Sequence, residues 1–419
     1  MTTRCLWLAR ELPFPEDSGD RIHSSRLAQA LAAAGADITF AGLHGGDPLP
    51  EAPAPQAIVW HGIRSGRRAM PRALASLQPL QSALHATPAY ARTVRALLRE
   101  RWDAIVLDHY GSSWLLPHMR HARAGIGARP VLLHLSHNHE ASLWRGMVKR
   151  FEGSTLKRLA LWQNTLKIAR AERQLADGVD LLCCITPEDA QAFAADGVRT
   201  PSLVLTPGYS GHAAPPRTLG ADTPRRVVLV GSFRWVVKQE NLRALVREAD
   251  EAFARHGITL DIVGDMPAPM REALAPCASV QVHGFVDDLA PLLAQSRLAL
   301  VPEVIGGGFK LKLLDYVFHR VPVVSLNEAT AGLPHGLRQA MLLCADLPAL
   351  VDTVVRHIDD LPLLNRLQEQ AFEAAHSAFD WADRGRMLLA AMRAAAQPAS
   401  SRPVPLPSAL AADQPHSST

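Results

Sequence analysis

Cysteine is scarce in this chain, with five residues in 419, at Cys5, Cys183, Cys184, Cys277 and Cys344. The number is odd, four of them lie inside apolar runs, and none has metal-ligand spacing. That excludes a disulfide framework or a zinc module and reads as reduced core thiols of a cytoplasmic protein. Aromatic residues are also thin, at 5%. No aromatic platform or familiar binding module accompanies the basic residues, so no nucleic-acid partner is expected. Long apolar runs are missing as well. The opening MTTRCLWLARELPFPE meets Arg10 and Glu11 before a signal-type core can form, and no run is long enough to span a bilayer. Neither half carries G-x-G-x-x-G after its first strand, which counts against a dinucleotide oxidoreductase.

What is present is an Ala/Leu/Val-rich globular composition, 48% apolar, in a chain too long for one typical core. The net charge of +4 is uneven. Residues 1–210 hold 24 Lys/Arg against 18 Asp/Glu, leaving 20 against 22 for the rest. Gly62–Arg101 carries eight Arg and one Glu, and Ala141–Gln174 eight Lys/Arg and two Glu. With Leu, Trp and Tyr interleaved, both suit an anionic membrane surface or an anionic substrate, and equally a solvated helix face.

Apolar runs alternate with helical periodicity along the chain. Strands are expected at Cys5–Ala9, Ile38–Leu43, Ala57–His61, Ala104–Asp108, Val131–Ser136, Leu181–Thr186 and Ser202–Leu205. A Gly/Pro-rich stretch without periodicity, Ser210–Pro224, reads as a linker. The alternation then restarts, with strands at Val227–Gly231, Leu260–Gly264, Val280–Val282, Leu298–Val301, Val321–Leu326 and Met341–Cys344. Helices follow near 350–358 and 362–396. Strands that are apolar throughout imply parallel sheets covered on both faces, hence an α/β protein of two Rossmann-like doubly wound domains. Their ligand edges would face a central cleft. The boundaries expected are 1–209, a linker at 210–224, 225–378, a helix at 379–397 returning to the first domain, and a disordered tail at 398–419.

Pro302–Ser325 (PEVIGGGFKLKLLDYVFHRVPVVS) is the most informative stretch. A strand, three glycines, a helix and a second strand together offer backbone N–H groups and a helix N-terminus to an anion. Gly306, Gly307 and Gly308 allow close approach of phosphate, and Lys310 or Lys312 would neutralise its charge. Lys312, Asp315 and His319 share one helix stripe, so a plain pairing of Asp315 with Lys312 or His319 is the structural alternative. Other polar clusters also follow strands: Asp108–His109, the Ser136–Glu140 run SHNHE, and Ser232–Lys238. The SHNHE run is a poor zinc site, and Asp287–Asp288 fits a helix cap better than a metal pair. No essential metal and no cofactor are expected.

In order, Val230-Gly231-Ser232 with Arg234 and Lys238, Asp261–Gly264, His283–Val286 with Asp288-Leu289, and the Pro302–Val324 stretch resemble the donor domain of retaining GT-B glycosyltransferases of the "group 1", family-four-like type. The Pro13–His23 loop and the His137–Glu140 segment resemble the acceptor domain, and the likeness spans about residues 4–390. It implies a GT-B fold and a nucleotide-diphosphate sugar as co-substrate. Transfer to a sugar, lipid-linked or polysaccharide acceptor would occur with retention, in the cytoplasm or at the inner face of the cytoplasmic membrane. It also implies Arg234 and Lys238 at the leaving diphosphate and His137 near the reaction centre. Gly19, Gly231, Ser232, Phe285, Val286, the glycine loop, Lys310, Lys312 and Asp315 would contact the donor, with Asp315 on the ribose hydroxyls. His109, Asn138 and Glu140 would lie on the acceptor side. One departure stands out: the first acid of the family's Glu-x7-Glu pattern falls on Gly307. Glu303, four residues earlier, reaches the site only if the loop folds back. A GT-B nucleotide-sugar epimerase and a non-catalytic nucleotide-sugar-binding subunit are the competing readings.

Overall fold

In a computed structural model of the chain, the described residues are 2–45, 58–123, 129–151, 153–234, 236–304 and 307–397. The Gly306 candidate and the tail expected at 398–419 lie outside them. The chain divides into two compact units, one running to Pro207 and resuming at Trp381, the other spanning Gly208–Asp380.

The first unit is built on seven parallel strands: β1 (Thr3–Glu11), β2 (Ala36–His44), β3 (Ile58–Arg64), β4 (Ala104–Asp108), β5 (Val131–Ser136), β6 (Leu181–Cys184) and β7 (Ser202–Val204), in the spatial order β3-β2-β1-β4-β5-β6-β7. Period-two alternation splits each strand between two apolar layers. Cys5, Trp7, Val106 and Leu133 pack on one face with Leu27, Leu31 and Met392. Leu6, Leu8, Ile105 and Leu132 pack on the other with Tyr90, Val94, Ile168 and Leu175. The first layer is covered by the Gly19–Ala33 and Trp381–Ala395 helices. They approach so closely that a Cβ on Gly385 would sit 2.1 Å from the Ala30 carbonyl oxygen. Ser18 makes no side-chain cap bond to the Gly19–Ala33 helix, so its buried leucines hold it, each contributing roughly 1.5–3 kcal/mol.

The second unit has six parallel strands, β8 (Arg226–Val230), β9 (Thr259–Val263), β10 (Val280–Gly284), β11 (Leu298–Val301), β12 (Val323–Leu326) and β13 (Leu342–Cys344), ordered β10-β9-β8-β11-β12-β13. Gly264 closes its centre: at φ +130° and with the Gly231 carbonyl oxygen 1.8 Å from any Cβ, only glycine fits there.

Two expectations need correction. The stretch read as a linker, 210–224, has no helix or strand, yet it is pinned to the second unit. Arg217 donates to the carbonyls of Leu293 (2.8 Å) and Ser296 (2.5 Å), and the Leu219 N–H to Asn365 Oδ1 (2.8 Å). The helix expected at 362–396 is two helices, Leu361–Ala375 and Trp381–Ala395. Phe379 is buried in the second core, and its carbonyl accepts from the Tyr209 N–H at 2.9 Å, which holds the break open.

Candidate functional site

Each sheet reverses its strand order once, between β1 and β4 in the first unit and between β8 and β11 in the second. Loops leaving the C-terminal ends of two such strands depart in opposite directions and leave a crevice, where open α/β sheets take ligands. Both crevices here are lined by charged side chains.

In the first unit a cavity of about 270 Å³ opens at the ends of β1 and β4, lined by Arg10, Glu11, Asp20, Ser24, Asp108 and His137 among others. Its arginines are all paired. Arg10 meets Asp20 at 2.5 Å, and Glu11 takes Arg67 at 2.6 Å, Arg21 at 3.2 Å and His85 at 3.3 Å. Burial opposes the Glu11 charge, but the bonds from His85 and Arg67 win and hold its carboxyl well below the usual range. Asp20 is held down to about 2, burial again being outweighed by the Arg10 and His137 charges.

At the floor of this cavity Asp108 and His137 form a dyad. They stand 29 positions apart in sequence, but β4 and β5 are neighbours in register, Asp108 beside Leu135, so His137 emerges at the same edge. His137 Nε2 donates to Asp108 Oδ1 at 2.6 Å, and Trp7 Nε1 to Asp108 Oδ2 at 2.8 Å. Both residues are buried. Desolvation resists either charge, but mutual attraction and the hydrogen bonds overcome it, so Asp108 titrates below and His137 above its ordinary range. Neighbouring histidines behave oppositely. Burial, with the His137 charge second, drops His23 to about 3. Burial also drops His134 to about 4 and His109 well below 6.5. Among these four, only His137 is shifted toward its charged form, by Asp108, and its Nδ1 is buried with no hydrogen-bond partner among the described residues.

The three acceptor-side candidates come together beside the dyad. His109 adopts a strained φ of 65° at the end of β4. Its Nε2 lies 3.7 Å from Glu140 Oε1, which accepts from Asn138 Nδ2 at 2.9 Å. Burial raises the Glu140 carboxyl, with the bonds from Asn138 and Trp144 opposing it. Glu172, which the sequence reading missed, fixes this loop by accepting from the Glu140 and Ala141 N–H groups at 2.8 and 2.9 Å. Burial lifts Glu172 to about 8. Gly19, an exposed first residue of its helix, is not among the cavity's lining residues, although Ser18 and Asp20 are.

In the second unit a small cavity of about 10 Å³ sits at the ends of β8 and β11, lined by Gly231, Lys238, Asn241, Glu303 and Lys312 among others. Glu303 does reach it. Its Oε1 meets Lys312 Nζ at 2.5 Å, while Oε2 is buried without a hydrogen-bond partner among the described residues. Burial opposes the Glu303 charge, but Lys312 and then Lys310 hold its pKa below the ordinary value. Lys310 itself is turned back on its loop and donates to the carbonyls of Gly307 (2.6 Å) and Gly308 (3.0 Å). Arg234 is largely exposed and pairs with Asp265. Ser232 is half-buried after β8, whereas Phe285 after β10 is 74% exposed, with Val286 half-buried beside it. Asp288 accepts from the Ala290 N–H at 2.9 Å, but the residue capping the Ala290–Gln295 helix is Leu289, which makes no side-chain cap bond. Among the described residues no three His, Cys, Asp or Glu side chains are arranged to hold a metal ion.

Asp315 is paired with neither Lys312 nor His319 through its side chain: Lys312 serves Glu303, and His319 Nδ1 donates to the Asp315 backbone carbonyl at 2.8 Å. Burial raises its carboxyl from 3.8 to about 6, partly offset by His319. The folded state therefore binds this proton more tightly than the unfolded chain. Stability falls as pH rises from about 4 to about 6, by roughly 2–3 kcal/mol. Asp315→Asn is expected to flatten that slope in pH-dependent thermal unfolding. Parallel slopes for the wild type and the variant would assign the titration to another group.

Residues 18–208 match the family model described as glycosyl transferase 4-like domain, and residues 224–360 that of glycosyl transferases group 1. Sucrose-phosphate synthase from Thermosynechococcus elongatus is similar in structure, with a TM-score of 0.70 at 18% identity over 94% of this chain and 98% of that one. Anabaena HepE in complex with UDP and glucose gives 0.63 at 16% identity, covering 93% and 99%. WaaG, a glycosyltransferase involved in lipopolysaccharide biosynthesis, gives 0.60 at 17%, covering 92% and 99%. No curated protein sequence matches the chain. The two matched segments and the shared architecture support a GT-B glycosyltransferase.

Proposed function

We propose that this GT-B glycosyltransferase moves a sugar from a nucleotide-diphosphate donor, bound by the second unit, to an acceptor bound by the first, with retention of configuration. The observation that carries the donor half is the crevice between β8 and β11. There Lys312 is fixed by a buried carboxylate beside Lys238, next to a helix whose first turn has no side-chain cap. Departure of a nucleoside diphosphate develops negative charge, and fixed cations lower that barrier without reorganising. Lys238 and Lys312 would serve there, with Arg234 nearer the surface. Asp315, whose carboxyl pairs with neither Lys312 nor His319, would accept from ribose hydroxyls. HepE, bound to UDP and glucose, makes a uridine donor the first to try.

The acceptor half rests on the first cavity. Its arginines are neutralised by Glu11 and Asp20, so it offers many donors and acceptors with little net charge. That chemistry suits a polyol better than a phosphate. His137 would donate from Nδ1 to an oxygen of the reacting sugar, and His109, Asn138 and Glu140 would hold the acceptor. A lipid-linked or polysaccharide acceptor, used at the inner face of the cytoplasmic membrane in surface-glycoconjugate synthesis, fits the basic first unit.

Incubation with UDP-, GDP- and dTDP-sugars, following nucleotide release, tests the reading. Release that requires an added acceptor is expected. Release without acceptor would favour hydrolysis or epimerisation. Thermal stabilisation without release would favour a binding subunit, the role that Gly307 in place of an acid makes the strongest competitor.

A further inference from the structure

Ten large apolar side chains are conspicuously exposed among the described residues, and seven of them fall on two short segments of the first unit. Scattered exposed leucines need no explanation, but such clustering does. Four lie on the Thr155–Gly178 helix: Leu156 (78% exposed), Leu159 (58%), Trp162 (50%) and Leu166 (51%). At 100° per residue they occupy an arc of about 120°. It is opposite the side that buries Thr165, Ile168, Glu172 and Leu175. The first six residues of this helix are exposed, so nothing among the described residues covers its leading turns.

The remaining three, Met70 (51%), Leu74 (60%) and Leu77 (94%), are spaced i, i+4, i+7 on and just beyond the Met70–Leu74 helix. That segment lies against the first: Lys167 Nζ donates to the Ser76 carbonyl at 2.6 Å, and the Leu80 N–H to Asn164 Oδ1 at 2.9 Å. The two stripes therefore belong to one region of surface.

Charge selects the occupant. Residues 62–99 hold seven Arg and no acid, and residues 141–171 hold seven Lys/Arg and one Glu. Arg72, Lys157 and Arg158 are exposed within or beside the stripes. A second copy of the chain on this face would bring the same cations against one another, which costs energy. An anionic bilayer offers acyl chains to the leucines, an interfacial layer to Trp162 and phosphates to the rim. No helix among the described residues is long and apolar enough to cross a membrane, which fits a helix lying in the interface plane.

We infer that the exposed face built from residues 156–166 and 70–77 seats the first unit on an anionic lipid bilayer, with Leu159, Trp162 and Leu166 entering the interface. This rests on the membrane-side part of the reading above and is independent of the transfer chemistry. The test is co-sedimentation of the full chain with vesicles of pure phosphatidylcholine or with 30% phosphatidylglycerol. The variants compared are Leu159→Gln/Trp162→Gln/Leu166→Gln and Lys157→Gln/Arg158→Gln. Expected are binding to the anionic vesicles only, a loss of at least tenfold in the first variant, and a smaller, salt-sensitive loss in the second. The sites are exposed, so thermal midpoints and nucleotide-sugar binding should stay unchanged, which separates failure of this surface from failure of the transferase reading. Equal binding by the triple variant, no binding by the wild type, or a dimer that the triple variant dissolves would overturn the inference.

Discussion

Asp108→Asn is expected to lower turnover about 10²–10³-fold at neutral pH, with little change in the Michaelis constant for the donor. The substitution preserves shape and leaves an oxygen for Trp7 Nε1, which now donates to Asp108 Oδ2 at 2.8 Å. What it removes is charge. Burial, with the His137 charge adding to it, pushes the neighbouring histidines far down, His23 to about 3 and His134 to about 4. His137 escapes that fate because the Asp108 carboxylate outweighs its desolvation. With asparagine, the main charge that raises the His137 pKa is gone, so its ring is protonated less readily and is a poorer donor. The wild-type stability contribution of His137 is fully present below its unfolded pKa of about 6.5 and fades as pH rises through the higher folded value. That of Asp108 is present above about 4 and fades as pH falls through the lower folded value. The variant should lose both dependences, and its activity should no longer decline at the alkaline edge set by His137. His137→Gln should match it, and the double variant should be no worse than either single one, because the two side chains act as a unit. Turnover within twofold of wild type in Asp108→Asn would remove the dyad from the chemistry.

That dyad shows where sequence reading stops. Asp108 is visible as the polar end of an apolar strand, and His137 as the first residue after another. The strand order β1-β4-β5 is what brings them within 2.6 Å, and order in a parallel sheet is not written in any one strand. The strands themselves are legible because burial on both faces demands unbroken apolar runs. The glycine at 264 and the prolines at 71 and 88, each at the start of a helix, also carry local meaning. Long-range ion pairs do not. The Glu11 cluster joins residues 11, 21, 67 and 85 through three separate elements. The alternation of Lys310 and Lys312 was equally opaque: two residues apart, one caps its own loop and the other turns to Glu303.

The Glu303–Lys312 pair decides whether that second lysine works for the fold or for the ligand. Each side chain is 12% exposed, and the amine sits 2.5 Å from the carboxylate. Lys312→Ala strands a buried carboxylate whose Oε2 already lacks a partner among the described residues, a change that costs about 3–5 kcal/mol. The second unit should unfold at a visibly lower temperature, and nucleotide release should fall below detection, but that result alone does not separate the two roles. Lys312→Met/Glu303→Gln does. Replacing both charges with groups of similar volume removes the stranded carboxylate, so stability should return to within about 1 kcal/mol of wild type. If Lys312 neutralises the leaving diphosphate, turnover stays down by 10²-fold or more in the refolded double variant, because no cation has been restored. If activity returns together with stability, the pair is structural, and the charge at the diphosphate must come from Lys238 and Arg234. Glu303→Gln alone completes the cycle. It leaves the lysine charged but loosely held, so a modest stability loss with a raised Michaelis constant for the donor is the expected signature of a residue that positions Lys312.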